Sequence, residues 1–445
     1  MADNKNRDRS SGISARSFTV ALIVIAVLMV ASYVAVLLLP ECSLPVWKWL
    51  LSPVLVLGGD SNTTIIAVIA FLLVIGGVFK SLEKCDLMRY MLDSIAYTYG
   101  GSKYRFLAVV TLFFMGMGAL IGSFEECVPL VPIMVALAVK MGWDALTGMG
   151  MSLLAVGCGF ASGVFNPFTV GVAQECAGLP MFSGAWLRAV SFVLIYGLLL
   201  LFIFLHAKKV DRGVNTEILA TRFQKDEKLE KGLKLFGFIL GGGIALVLCS
   251  GFLTFLQDYT MIIVAVAFLA AGISASLACG LRGKALGKAM LEGLLSMLPG
   301  VAMILMASSI NYTLSESGAL DVILKASLSL ADRMQTWQVV LLIYLIVLLM
   351  NFFIASGSAK ALMLMPLIVP LAEKFGISPQ LCVLAFAFGD GFSNVFYPTN
   401  PVLLISLGLS DVSYGRWAKW TWKFQLLNLL LTSGLLMLGM LVGYR

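Results

Sequence analysis

Residues 122–142 read GSFEECVPLVPIMVALAVKMG, and they set two adjacent carboxylates, Glu125 and Glu126, inside an otherwise apolar region. A charged side chain at membrane depth costs roughly 3 kcal/mol or more, so such residues survive mainly where they face a protein interior, an ion path or a substrate. The stretch recurs. Residues 354–376 read IASGSAKALMLMPLIVPLAEKFG, and a shift of 234 positions lays Pro132 on Pro366, Lys140 on Lys374 and Gly142 on Gly376. The same shift lays Glu126 on Lys360 and Asn166-Pro167 on Asn400-Pro401. Two motifs and the spacing between them are duplicated together, which points to an internal repeat.

Of the 445 residues, 60% are apolar and 12% charged, too few polar groups to coat a soluble domain of this size. The chain therefore reads as an all-α polytopic membrane protein. Runs such as 18–39 and 426–442 have the roughly 20 residues a helix needs to cross a hydrocarbon core about 30 Å thick. The net charge of +7 is no nucleic-acid signature, because Lys and Arg fall in short loops around Lys5–Arg16, Lys80–Arg105, Lys208–Lys234, Arg282–Lys288 and Arg416–Lys423. Basic loops stay cytoplasmic, which places the N-terminus there. The first span lacks a small-residue cleavage site and reads as a retained span.

Taken in order, residues 1–16 are a cytoplasmic tail and 17–206 a first repeat, with a re-entrant hairpin at about 105–140 and a broken helix at 166–167. Residues 207–232 read as a cytoplasmic linker. Residues 233–445 form a second repeat, with a hairpin at about 337–374 and a broken helix at 400–401. Lys80–Tyr104 is amphipathic and is expected along the inner surface, and Asn311–Arg333 is expected outside the membrane. Proline lacks an amide hydrogen and disfavours helix just before it, so each Asn-Pro opens a helix and frees carbonyls that could bind a cation. Non-helical backbone at membrane depth is tolerated only inside protein or beside a watery cavity. One extra span opens the second half, which would invert its repeat. Inverted repeats with paired hairpins and broken helices are the pattern of a secondary transporter.

The chemistry follows from these positions. Glu125 and Glu126 are candidates for holding a cation, a proton or a substrate ammonium, or they lie at the aqueous mouth of a loop. Two neighbouring carboxylates in a low-dielectric site do not both ionise easily without a positive partner, and Lys360 is the expected one. Lys360 in turn binds a substrate carboxylate, stands in for a metal cation, or simply neutralises a glutamate. A zwitterionic amino acid would fit with its ammonium on Glu126 and its carboxylate on Lys360. Ser123, Ser356 and Ser358 lie in two Gly-Ser tips, and Asn166, Asn394, Thr399 and Asn400 beside the helix breaks, where they would orient a small polar solute. Tight turns and packing use the same residue types. Asp390, in AFGDGFSN, is a coupling-ion ligand or a stabiliser of the helix opening. Glu175, Glu292 and Arg188 lie near span ends and are expected to snorkel or pair.

Other chemistries find little support. The GxGD of intramembrane proteases fails at Ala387, and no nucleophile and base pair is recognisable, so no enzyme is expected. The eight cysteines form no CxxC pair and read as packed thiols, while His206 is the sole histidine, so no fixed metal site is expected. No Walker A motif is present: the Gly-Lys within Gly283–Lys288 lacks the following Ser/Thr. An ion gradient, Na+ or H+, or exchange is left as the driving force. A cation/proton antiporter without an organic substrate is the rival reading.

The runs VGCGFASGVFNPFTVGVAQECAGLPMFSG, from Val156, and FFIASGSAKALMLMPLIVPLAEKFGISPQLCVLAFAFGDGFSN, from Phe352, closely resemble the YfcC-type family of bacterial inner-membrane carriers. That family is grouped with the anaerobic C4-dicarboxylate carriers in the ion-transporter superfamily. The resemblance implies an inner-membrane carrier with a scaffold and a moving part that holds both tips, a homodimer, and an elevator-like movement. Its members are described as carriers of C4-dicarboxylates or of basic amino acids. The family pattern has a neutral residue where this chain has Lys360, and PTSG where it has Pro398-Thr399-Asn400-Pro401. A lysine in the second tip favours a carboxylate-bearing solute, an amino acid ahead of a dicarboxylate.

Overall fold

The computed structural model describes residues 15–58, 62–122, 124, 127–180, 182–213, 225–250, 259–354 and 356–445. Among these residues the chain is helical, without strands, and six helices are long and apolar enough to cross a membrane. The large buried side chains form one continuous core through both halves.

The 234-residue shift extends to nearly every element. It lays Ala15–Leu38, Val46–Leu55, Asn62–Lys84 and Leu87–Tyr99 over Thr260–Ala278, Gly283–Ser296, Leu298–Glu316 and Ala319–Ser329. It then lays the arms Lys103–Ile121 and Leu130–Lys140 over Thr336–Phe353 and Gly357–Lys374. Helix 145–162 falls on Pro379–Gly391 and its short continuation, 167–176 on Pro401–Leu409, and Ala185–Val210 on Tyr414–Leu441. Glu227–Ser250 alone has no counterpart among the described helices.

Packing crosses between the halves. Asn62–Lys84 packs on Thr260–Ala278 and Gly283–Ser296, and its counterpart Leu298–Glu316 packs on Ala15–Leu38 and Val46–Leu55. Arm Gly357–Lys374 packs on the 167–176 half-helix, and arm Leu130–Lys140 touches Pro401–Leu409. The two broken helices lie directly together, and a methyl on Gly391 would strike Ala161. Small residues permit this approach, the usual device where apolar lipid gives no drive for helices to associate.

Several sequence boundaries shift. The polar 207–232 stretch is helical at both ends, because Ala185–Val210 runs on through Lys208 and Lys209, and Glu227 starts the next helix with acidic residues in its first turn. Cations at a helix C-terminus and anions at an N-terminus both favour continuation. Asn311–Arg333 is also largely helical: Leu298–Glu316 continues past Asn311, and Ala319–Ser329 follows a turn at Gly318 (φ 76°). Leu87–Tyr99 buries Leu87, Tyr90 and Met91, one face of an amphipathic helix.

Candidate functional site

Each Asn-Pro opening is built in the same way. Asn166 Oδ1 accepts from the amides of Phe168 (3.0 Å) and Thr169 (3.2 Å), and Asn400 Oδ1 from those of Val402 (2.9 Å) and Leu403 (3.4 Å). Asparagine is a strong helix N-cap, and proline in the first helical position gives up only an amide that would be unpaired anyway. The two residues singled out as solute contacts are thus first of all caps of half-helices. Ser356 plays the same part for Gly357–Lys374, accepting from the Ala359 amide.

Four of the carbonyls at the openings have partners. The Val164 carbonyl accepts from Arg188 Nε (3.4 Å) and that of Asn166 from the Gly171 amide (3.0 Å). In the second opening, Trp417 Nε1 donates to the Val395 carbonyl (2.7 Å) and the Tyr414 hydroxyl to that of Phe396 (3.0 Å). Three of these four oxygens are met by the last helix of their half, so a cation bound by carbonyls, the expectation from sequence, would share them with those donors.

Lys360, in the first turn of Gly357–Lys374, is wholly buried, and its ammonium donates to Asp390 Oδ1 and Asn351 Oδ1. Asn351 closes the preceding arm; its amide nitrogen lies 2.9 Å from the Asp390 carbonyl, 2.6 Å from Ser393 Oγ and 3.0 Å from Asn394 Oδ1. Asn394 Nδ2 donates to the Asp390 carbonyl (2.8 Å), and Asn400 Nδ2 to Asn394 Oδ1 (3.1 Å). One network therefore joins both arms of the second hairpin to the second broken helix. Asp390 is a counter-charge of Lys360, since arm and broken helix pack together within one half, while the expected pairing with a first-tip glutamate lies outside the described residues.

Tip and opening also meet across the halves. Ser358 Oγ donates to the Phe168 carbonyl (2.9 Å), and a Cβ on Gly357 would touch Thr169 and come 2.8 Å from Asp390 Oδ2. The first arm ends at Gly122 (φ 74°), where a Cβ would strike the Asn166 side chain, and the Phe165 amide donates to the Ala119 carbonyl (3.0 Å). Three polar atoms here are buried and without a partner: Asp390 Oδ2, Thr169 Oγ1 and Asn166 Nδ2. An unmatched buried carboxylate oxygen costs free energy unless a ligand, ion or proton meets it.

The structure thus brings Lys360, Asp390, Asn394 and Asn400 into one network and ties Ser358 to the opening at Asn166. Thr399 is buried and directly precedes Asn400 in sequence. Ser123, Glu125 and Glu126 lie outside the described residues. Asn351 and Ser393 escape sequence reading because neither has a counterpart at the repeat offset. A lone asparagine closing the apolar run 337–350 was the available signal. Arg188, expected to snorkel or pair, does neither: it is wholly buried and bonded only to neutral oxygens.

Membrane helices opening at capped breaks around buried charge define a membrane transport protein. The family profile of the C4-dicarboxylate anaerobic carriers matches residues 47–441, and the chain belongs to that family of carriers, not of enzymes. It is 28% identical over 407 residues to YfcC of Escherichia coli (strain K12), for which basic amino acid antiport has been proposed, covering 87% of this chain and 80% of that one. It is 24% identical over 365 residues to an uncharacterised protein of Haemophilus influenzae, covering 79% of this chain and 71% of the other. Among solved structures, the Alcanivorax borkumensis YdaH transporter aligns with 96% of this chain and 99% of its own at 18% identity and a TM-score of 0.46. Neisseria gonorrhoeae MtrF, described with a class of antimetabolite efflux pumps, aligns over 94% of each chain at 16% identity and a TM-score of 0.43.

Proposed function

We propose that the protein is a secondary active carrier of a small carboxylate-bearing metabolite, an amino acid or a C4-dicarboxylate, driven by Na+ or H+ coupling or by exchange. The observation that carries this reading is the meeting of two capped helix openings and the second tip around the buried Lys360–Asp390 pair, with Asp390 Oδ2 unspent. Glu125, Glu126 and Asp390 are the ion-coupling carboxylates. Protonating Asp390 removes its hold on Lys360 and frees the ammonium for a substrate carboxylate, which links solute and proton in one step. Asn166, Asn394, Thr399, Asn400 and the serines of the tips line the path.

Inverted repeats are supported by the crossed packing of the two halves and by the one unmatched helix, Glu227–Ser250, between them. Both hairpins pack with the broken helices, while Asn62–Lys84, Thr260–Ala278, Gly283–Ser296 and Leu298–Glu316 pack among themselves. That division suits a transport part sliding against a scaffold, in a homodimer in the bacterial inner membrane with a cytoplasmic N-terminus.

Full neutralisation of Lys360 by Asp390 also favours a second reading, cation/proton antiport without an organic solute. Uptake of labelled amino acids, C4-dicarboxylates and monocarboxylates into proteoliposomes, under a sodium or a pH gradient, separates the two. Solute uptake abolished in Lys360→Ala and Asp390→Asn is expected. Ion flux with no organic solute, and none carried when one is supplied, would replace the carrier reading by the antiporter.

A further inference from the structure

Three charged side chains are buried among the described residues: Lys360, Asp390 and Arg188. Lys360 and Asp390 cancel, so among the described residues one buried positive charge, that of Arg188, is left without a counter-charge. Guanidinium does not deprotonate in proteins, so burial cannot neutralise it as it can a lysine. Its surroundings do not neutralise it either. Nε faces the Val164 carbonyl (3.4 Å), NH1 the Tyr444 hydroxyl (3.4 Å) and NH2 the Phe182 carbonyl (3.2 Å). All three acceptors are uncharged and long, and a guanidinium has five N–H donors to place. A buried charge kept with neutral partners alone is costly, so its retention asks for an anion at some stage of the working cycle.

The place of that charge is informative. Val164 belongs to the first helix opening, two residues before Asn166, whose buried Nδ2 is also without a partner. An unspent cation and an unspent amide donor thus serve the same opening. Phe165 of the opening sets its ring edge-to-face on Phe182 at 5.7 Å. Phe182 is one of few non-glycine residues with positive φ (60°), and its carbonyl is one of the three groups holding Arg188. A carboxylate arriving here would displace that carbonyl and offer two oxygens to the planar fork, a charge-assisted geometry stronger than any bond Arg188 now makes.

We infer that Arg188, with the free amide of Asn166, binds a carboxylate of the transported solute at the first opening. The inference rests on the carrier reading and narrows it: a buried guanidinium held only by neutral oxygens favours an anionic solute, a dicarboxylate or an acidic amino acid, over a basic one. Arg188 thereby adds a second carboxylate-binding charge to the Lys360 ammonium that protonation of Asp390 frees.

The test is the thermal shift of purified protein with succinate, aspartate, glutamate, acetate, alanine, lysine and arginine, in wild type, Arg188→Gln, Arg188→Lys and Tyr444→Phe. Shifts with the dianionic solutes are expected in wild type and in Tyr444→Phe. Apparent affinity for them should fall by about thirtyfold or more in Arg188→Gln, with a smaller loss in Arg188→Lys. A clamp with a purely structural role predicts instead that Tyr444→Phe behaves like Arg188→Gln, and that result overturns the inference. A wild-type shift kept at full affinity in Arg188→Gln overturns it while leaving the carrier reading standing. A shift with lysine or arginine alone does the same, whereas no shift and no uptake with any organic solute removes both. Should Arg188→Gln fail to fold, Arg188→Lys decides, since wild-type affinity there would exclude recognition by the fork.

Discussion

The ammonium of Lys360 is held by the carboxylate of Asp390, 30 residues further along the chain, and neither side chain reaches solvent. The pair closes the second hairpin onto the second broken helix. Its energetic sign is not set by attraction alone, because taking two charges out of water costs several kcal/mol per ion and good geometry only offsets it.

Breaking the pair from one side should therefore hurt more than removing it. Lys360→Met and Asp390→Leu are each expected to destabilise by about 3–5 kcal/mol, since each strands an uncompensated buried charge. The double variant Lys360→Met/Asp390→Leu should melt closer to wild type than either single, yet carry no solute. Thermal unfolding of all four proteins in one detergent closes the cycle, and additive losses would show that the two side chains are not coupled.

The matched caps make a paired prediction. Asn166→Ala and Asn400→Ala each remove a cap worth about 1 kcal/mol, and aspartate or serine at either position should restore most of it. Asn400→Ala is expected to be the worse, because Asn400 also donates to Asn394. Hydrogen exchange at 167–172 and 401–405 reads the fraying directly.

Gly357 lets the second tip lie against Asp390 Oδ2, which an added Cβ would approach to 2.8 Å, and against Thr169. Gly357→Ala should keep the protein folded but displace the tip, lowering uptake by tenfold or more for each roughly 1.4 kcal/mol lost at the transition state. Uptake at the wild-type rate would place the working conformation of the tip elsewhere.

Acid tolerance is expected to depend on Asp144, which caps helix 145–162 through the Thr147 amide and is bonded by His206 (3.1 Å) and Arg416 (3.3 Å). Burial pushes its carboxyl up, but the His206 bond and the Thr147 amide outweigh burial and hold it down at about 2, against 3.8 when unfolded. A depressed carboxyl contributes stability that is complete above the unfolded value and lost as pH falls through the folded one. The contribution is about 2 kcal/mol, present above pH 4 and gone near pH 2. Melting of wild type against Asp144→Asn should show a difference at pH 6 that closes on acidification; a constant gap would assign the effect to packing.

What the chain alone determined is the repeat and its local chemistry. A 234-residue offset, two Asn-Pro breaks and two small-residue tips are legible because a helix, its cap and its opening depend on residues only a few positions apart. Partnership across helices is a different matter. That Lys360 meets Asp390 and Asn351, that Asn394 links them to Asn400, and that Arg188 sits under Phe182 without an anion follow from which faces pack together. Repeat offset pointed from Lys360 to Glu126 and not to Asp390, because symmetry relates positions, whereas contact requires adjacency. Only the tertiary structure shows that, among the described residues, three charged side chains are buried and two of them balance each other.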